Sequence, residues 1–183
     1  MLKDFKPTLF ILARFILIYL ILLAIYQYFL NYYSGTGLDP YSKMITEQVR
    51  YIQNYLGYQT QLYNDIKNEQ VYFYVRNDYP TRMVEGCNAI SVMILFIAFV
   101  FAFYKGLKIF TFIIISLILL YILNLLRITG LNIIMTDYKE YGKIAHDFIF
   151  PSIIYGGVVI LWLIWIKHFV LKDKVSNELK DKI

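Results

Sequence analysis

Four apolar runs, at about 7–30, 88–104, 109–128 and 147–169, constrain this chain more than anything else in it. Each is close to the roughly 20 residues a helix needs to cross about 30 Å of hydrocarbon. A bilayer core offers no water to unpaired amides, so such runs enter it as helices. The expected fold is an all-α membrane protein with four transmembrane helices. Hydrophobic residues make up 59% of the 183. That exceeds the roughly 45–50% of a soluble domain, and the surplus gathers in the runs. The first run follows a basic start, but it is too long for a signal-peptide core and lacks a small-residue cleavage site. It reads as a retained span.

The 31–86 region is the one sizeable polar stretch and is expected to form a loop domain outside the bilayer. Asp39-Pro40 has the chemistry of an N-cap followed by proline at the first helical position. Tyr41, Met44, Ile45, Val49, Ile52 and Leu56 then recur at helical spacing, and Gly57 suits the end of that helix. Lys43, Glu47, Arg50, Gln53 and Asn54 fill the other face, so the helix is amphipathic and should lie on the membrane or cover a site. Residues 58–63 and 71–76 are rich in strand formers and predict a β-hairpin. Asn77-Asp78-Tyr79-Pro80 reads as a turn leading to Cys87. Tyr26, Tyr28, Tyr32 and Tyr33 look like an interfacial aromatic belt at the end of the first span.

Four spans would put both termini on one side of the membrane. Lysines and arginines then divide ten to eight between the two sides. The side with the termini gathers its charges into short segments beside the spans, where the positive-inside rule applies best, so the termini are expected in the cytoplasm. The 171–183 tail reads as a charged cytoplasmic end. A net charge of +5 fits these topology signals and solvated flanks, and no nucleic-acid partner is expected. Membrane lipids are the expected surroundings.

This topology brings Cys87, Arg127 and His146 to the outer rim. Cys87, the single cysteine, and His146 would open helices there, and Arg127 would close one. A thiol near a helix N-terminus feels the positive end of the helix dipole, which favours thiolate. A histidine can take the proton and return it to a leaving amine. An arginine offers five donors for an oxyanion. Asn124, one turn before Arg127 on the same face, is placed to orient its guanidinium. Each residue also has a plainer reading: an inert small apolar group for the cysteine, phosphate snorkelling for the arginine, an interfacial ring for the histidine. Glu85 and Asp147 read as solvated first-turn acids, and His168 falls on the cytoplasmic side. One cysteine allows no internal disulfide, and no metal site or phosphate-binding glycine loop is present. No cofactor is expected.

Cys87-Asn88-Ala89-Ile90 beginning a span, Asn124-x-x-Arg127 ending the next and His146 opening the last resemble the exosortase/archaeosortase family over roughly 84–155. The compact size and the Glu85-Gly86-Cys87-Asn88 context are most similar to the F-type exosortases. The resemblance implies a multi-pass cysteine transpeptidase or protease of a bacterial inner membrane, with its active site on the outer face. Cys87 would be its nucleophile, Arg127 its oxyanion stabiliser and His146 its general acid/base, with Asn124 and Asn88 in support. Implied substrates are exported proteins carrying a C-terminal motif, a membrane span and a basic tail, cleaved through a thioester. Two other readings stay open. One is a non-catalytic scaffold subunit of an export or surface-assembly system, docking partners through the amphipathic helix. The other is a thiol acyltransferase that moves a lipid acyl group.

Overall fold

The computed structural model describes residues 2–103 and 106–171. Lys105 and the tail from Lys172, both used in the topology argument, lie outside the described residues. Six α-helices carry most of the chain: α1 (Leu2–Tyr33), α2 (Pro40–Tyr55), α3 (Ile90–Ala102), α4 (Lys108–Asp137), α5 (Lys139–Ile144) and α6 (Phe150–Trp165). Three strands, β1 (Thr60–Asp65), β2 (Gln70–Val75) and β3 (Asp78–Met83), form an antiparallel sheet in that order. A 3-10 turn, Glu85–Cys87, precedes α3, and π-helical turns at Ala145–Ile149 and Ile166–Leu171 flank α6.

Three helical stretches among the described residues are long and apolar enough to cross a bilayer: Thr8–Tyr33, Ile109–Asp137 and Lys139–Phe169. The chain is thus a multi-pass membrane protein. The run expected at 88–104 forms a shorter helix. Its 13 residues rise about 20 Å, against about 30 Å of hydrocarbon. α3, α4 and α6 share an apolar core of Phe96, Val100, Ile109, Ile113, Leu120, Val158, Leu161 and Trp165. Small residues let these helices approach. A Cβ on Gly130 would stand 3.1 Å from the Phe150 ring, and one on Gly157 would stand 3.0 Å from Leu123.

The polar region folds where its local chemistry directs it. Asp39 Oδ1 accepts the Ser42 N–H at 3.0 Å and starts α2, with Pro40 in its first turn. Gly57 follows the helix at φ +83°, the left-handed conformation that glycine adopts without steric cost. The predicted hairpin is present, with β1 and β2 in register from Thr60 opposite Val75 to Asp65 opposite Gln70.

Two expectations need correction here. The segment read as a turn, Asn77 to Pro80, is mostly a third strand. The turn lies one residue earlier, at Arg76-Asn77, both with positive φ (45° and 68°), as in a two-residue I′ hairpin. Pro80 disguised the strand. It is tolerated because β3 is an edge strand and its pairing is irregular between Phe73 and Val75. The buried face of α2 also differs from the apolar stripe. Ile45 and Val49 are fully buried, joined by Ser42, Thr46 and Gln53, while Met44 and Leu56 are exposed. The helix packs between the sheet and α4, in a core of Leu38, Ile45, Val49, Val71, Phe73, Val75, Met83 and Ile128.

A further correction concerns α4. Residues 129–137, which follow the apolar run read as ending at about 128, continue the helix to Asp137. Its polar side chains there are used by the sheet domain. Buried Asn132 donates to Gln53 of α2 at 3.2 Å and accepts from Thr81 of β3, and Asp137 accepts from Tyr58 and pairs with Arg76. The Arg76 guanidinium also lies 4.1 Å above the Tyr58 ring. One helix therefore runs from the apolar core to the sheet and fastens the two together.

Candidate active site

Cys87 ends the 3-10 turn, where its N–H donates to the Val84 carbonyl at 2.9 Å. It precedes α3 rather than opening it, since α3 begins at Ile90. The turn is held by its neighbour. Asn88 is buried, and its Oδ1 accepts the Ile90 N–H at 3.0 Å in an Asx turn just before α3. Its Nδ2 donates to Tyr26 Oη of α1 at 2.7 Å and to Ser42 Oγ of α2 at 2.9 Å. Tyr26 thus turns inward, while Tyr28 and Tyr32 stay exposed. Between Asn88 and α3, Ala89 adopts φ +63°, a left-handed kink that turns the chain into the helix.

Arg127 lies within α4, which continues past it to Asp137, so the expectation that it closes its helix is not met. Its partner is a side chain rather than a helix end. Arg127 Nη1 donates to Asn124 Oδ1 at 3.4 Å. The same amide donates through Nδ2 to the Cys87 main-chain carbonyl at 3.2 Å. Asn124, fully buried, thus ties the cysteine turn to the arginine.

His146 likewise does not open a helix. It sits in the π-helical turn between α5 and α6. Asp147 is more than a solvated acid there, with its Oδ1 2.8 Å from His146 Nδ1. That partnership was missed because adjacent residues on an α-helix do not face each other; here both lie in the π-helical turn. His168 lies in the other π-helical turn, beyond the far end of α6, and its Nδ1 is 3.3 Å from the Ile164 carbonyl.

These side chains converge. Cys87, Arg127 and His146 all line one cavity of about 320 Å³, walled by Pro80 to Val84 of β3 and the following loop and by Ile128, Leu131 and Met135 of α4. The β3 wall was not foreseen, since the strand itself was read as a turn. A larger open concavity, about 730 Å³, lies on the tyrosine-lined face of the hairpin and is lined by neither cysteine nor histidine. Glu85, beside the cysteine turn, has its carboxyl held above the ordinary range by burial and, secondarily, by the Glu69 and Asp39 carboxylates. Among the described residues no three His, Cys, Asp or Glu side chains converge as a metal site.

The family described as Transmembrane exosortase (Exosortase_EpsH) matches residues 5–170. The chain belongs to the transmembrane exosortases. No curated protein and no solved structure matches it significantly. Exosortase membership carries a coarse function with it: a membrane peptidase or transpeptidase that acts in the sorting of exported proteins. It also gives the cavity a context, because Cys87, Arg127 and His146 all fall inside the matched region.

Proposed function

We propose that this exosortase is a cysteine transpeptidase of the bacterial inner membrane, F-type in character, that removes C-terminal sorting signals through a thioester. Four spans, both termini in the cytoplasm and a site at the outer face complete the reading, with α3 counted as a short fourth span. The observation that carries it is the convergence of Cys87, Arg127 and His146 on one cavity.

The chemistry follows from the three groups. His146 accepts the Cys87 proton, and the thiolate sulfur attacks the substrate's scissile carbonyl carbon. Arg127 donates to the oxyanion of the tetrahedral intermediate. As that intermediate collapses, the C–N bond breaks, the leaving amine takes the proton back from His146, and the acyl group remains on sulfur as a thioester. Water or an acceptor amine then attacks the thioester and passes a proton to His146, and the C–S bond breaks. Asp147, 2.8 Å from Nδ1, favours the tautomer with the proton on that nitrogen and leaves Nε2 as the base. Substrates are exported proteins with a short motif, a span and a basic tail. Their scissile bond stands just above their own span, at the height proposed for the site.

Comparing the C-termini of exported proteins in cells with wild-type and Cys87→Ala protein tests the reading. Retained C-terminal anchors in the variant are expected, with the variant present in the membrane at the wild-type level. Normal trimming by Cys87→Ala cells would end the proposal. A scaffold role would need the apolar face of α2 for docking, yet Ile45 and Val49 on that face are buried against the sheet and α4.

A further inference from the structure

The sheet has one edge that matters to the reacting groups. β3 pairs with β2 on one side only, because the strand order is β1-β2-β3. Successive residues of a strand point to opposite faces of its sheet. A cavity on one face would therefore touch every second residue. This one touches every residue from Pro80 to Val84. It therefore runs along the unpaired edge of β3, with α4 as its opposite wall. Exposed strand edges are usually blunted, because their free N–H and C=O groups pair readily with another chain. Here the proline and the pairing irregularity disturb β3 near Pro80, and the stretch nearer Cys87 is left regular.

Direction comes from a second, smaller cavity. It holds about 140 Å³ and is lined by Gly86, Ala89, Val92, Arg127, Ile154 and Tyr155, between the start of α3 and α6. Arg127 borders both cavities. The first cavity lies between β3 and α4, whereas the second opens between the cysteine turn and the apolar starts of α3 and α6.

We propose that the substrate binds as an extended strand added in parallel to the free edge of β3, and that the residues leading into its anchor pass through the second cavity, beside the start of α3, before the anchor enters the lipid. This rests on the transpeptidase reading, since it assumes a scissile bond at Cys87. The orientation follows from the chain's path. A C-terminal anchor has to enter the bilayer, so residues after the scissile bond take the α3–α6 side and residues before it lie along β3. β3 itself runs toward Cys87 from Asp78. Strand and substrate then point the same way, which makes the pairing parallel. Main-chain bonds to β3 would supply sequence-tolerant affinity, with alternate side chains read by the walls.

Site-specific photocrosslinking tests the path. Benzoylphenylalanine is placed singly at Arg82 and at Val92 in full-length Cys87→Ala protein. The partner is an exported protein whose trimming stops in Cys87→Ala cells. Adducts at Arg82 are expected to map upstream of that protein's C-terminal span, and adducts at Val92 at the start of the span, each enriched at least tenfold over the other region. Reversed locations would overturn the proposal, as would adducts at neither position in variants present at the Cys87→Ala level. The two readings fail separately. Continued trimming by Cys87→Ala protein defeats the enzyme, whereas lost trimming with adducts elsewhere defeats only the strand path.

Discussion

The side-chain amide of Asn124 donates to the main-chain carbonyl of Cys87 across 3.2 Å. With its oxygen it accepts from Arg127, so one buried amide fixes the spacing between the sulfur-bearing turn and the guanidinium. Asn124→Ala is expected to cost about 1–3 kcal/mol of stability, the usual penalty for leaving buried partners unmade. Its larger effect falls on turnover. In steady-state assays of purified protein with a trimmed substrate, kcat is expected to fall more than KM rises. An unchanged kcat would show that the amide is structural only.

The Asp147 carboxylate beside His146 makes a graded prediction. Removing the imidazole in His146→Ala forfeits general acid–base assistance, typically about 10²–10⁴ in rate. Asp147→Ala keeps the ring and removes only its partner, so its kcat should fall less, with KM nearly unchanged. Equal losses in the two variants would mean that Asp147 does more than orient the ring.

Asn88 predicts coupling between distant segments. It bonds Tyr26, Ser42 and the Ile90 N–H, so Asn88→Ala should lower stability by about 1–3 kcal/mol, the cost of leaving buried partners unmade. Tyr26→Phe removes one of those bonds and should cost about 0.5–1.5 kcal/mol. In a double-mutant cycle by thermal melting the two losses should not add, because they share an interaction. Strict additivity would separate α1 from the cysteine turn.

Glu85 gives a pH signature. Burial, with Glu69 and Asp39 nearby, raises its folded-state pKa above that of the unfolded chain. The folded protein then holds this proton more tightly, so its contribution is fully present below the unfolded pKa and is lost as pH rises through the folded value. Glu85→Gln removes the ionisation and should raise the melting temperature at pH 7 while changing it little at pH 4. A larger gain at pH 4 than at pH 7 would reverse the sign and refute the assignment.

Much of this architecture was legible in the residues themselves. Hydropathy marked the long apolar helices, Asp39-Pro40 and Gly57 marked the ends of α2, and strand formers marked the first hairpin. The grouping of Cys87, Arg127 and His146 at one cavity could be anticipated because each lies at the edge of an apolar run. What stayed hidden was decided by tertiary partners. The apolar run was read as ending at about 128 because Thr129, Asn132 and Thr136 break it, and the bonds of Asn132 to Gln53 and Thr81 show why the helix keeps them. Pro80 masked β3 because its tolerance depends on which edge of the sheet it occupies. The His146–Asp147 pair joins adjacent residues, which spacing rules for an α-helix do not anticipate.

α4 is one unbroken rod of 30 residues, about 45 Å long, reaching from the lipid-facing core to the sheet. A rod of that length cannot lean at one end alone. Any lipid or neighbouring protein that changes its tilt in the bilayer moves Arg127 and the floor of the cavity together, and drags the sheet by its Asn132 and Asp137 fastenings. A change in the tilt of α4 would therefore be carried from its apolar end to the cavity and the sheet by a single lever.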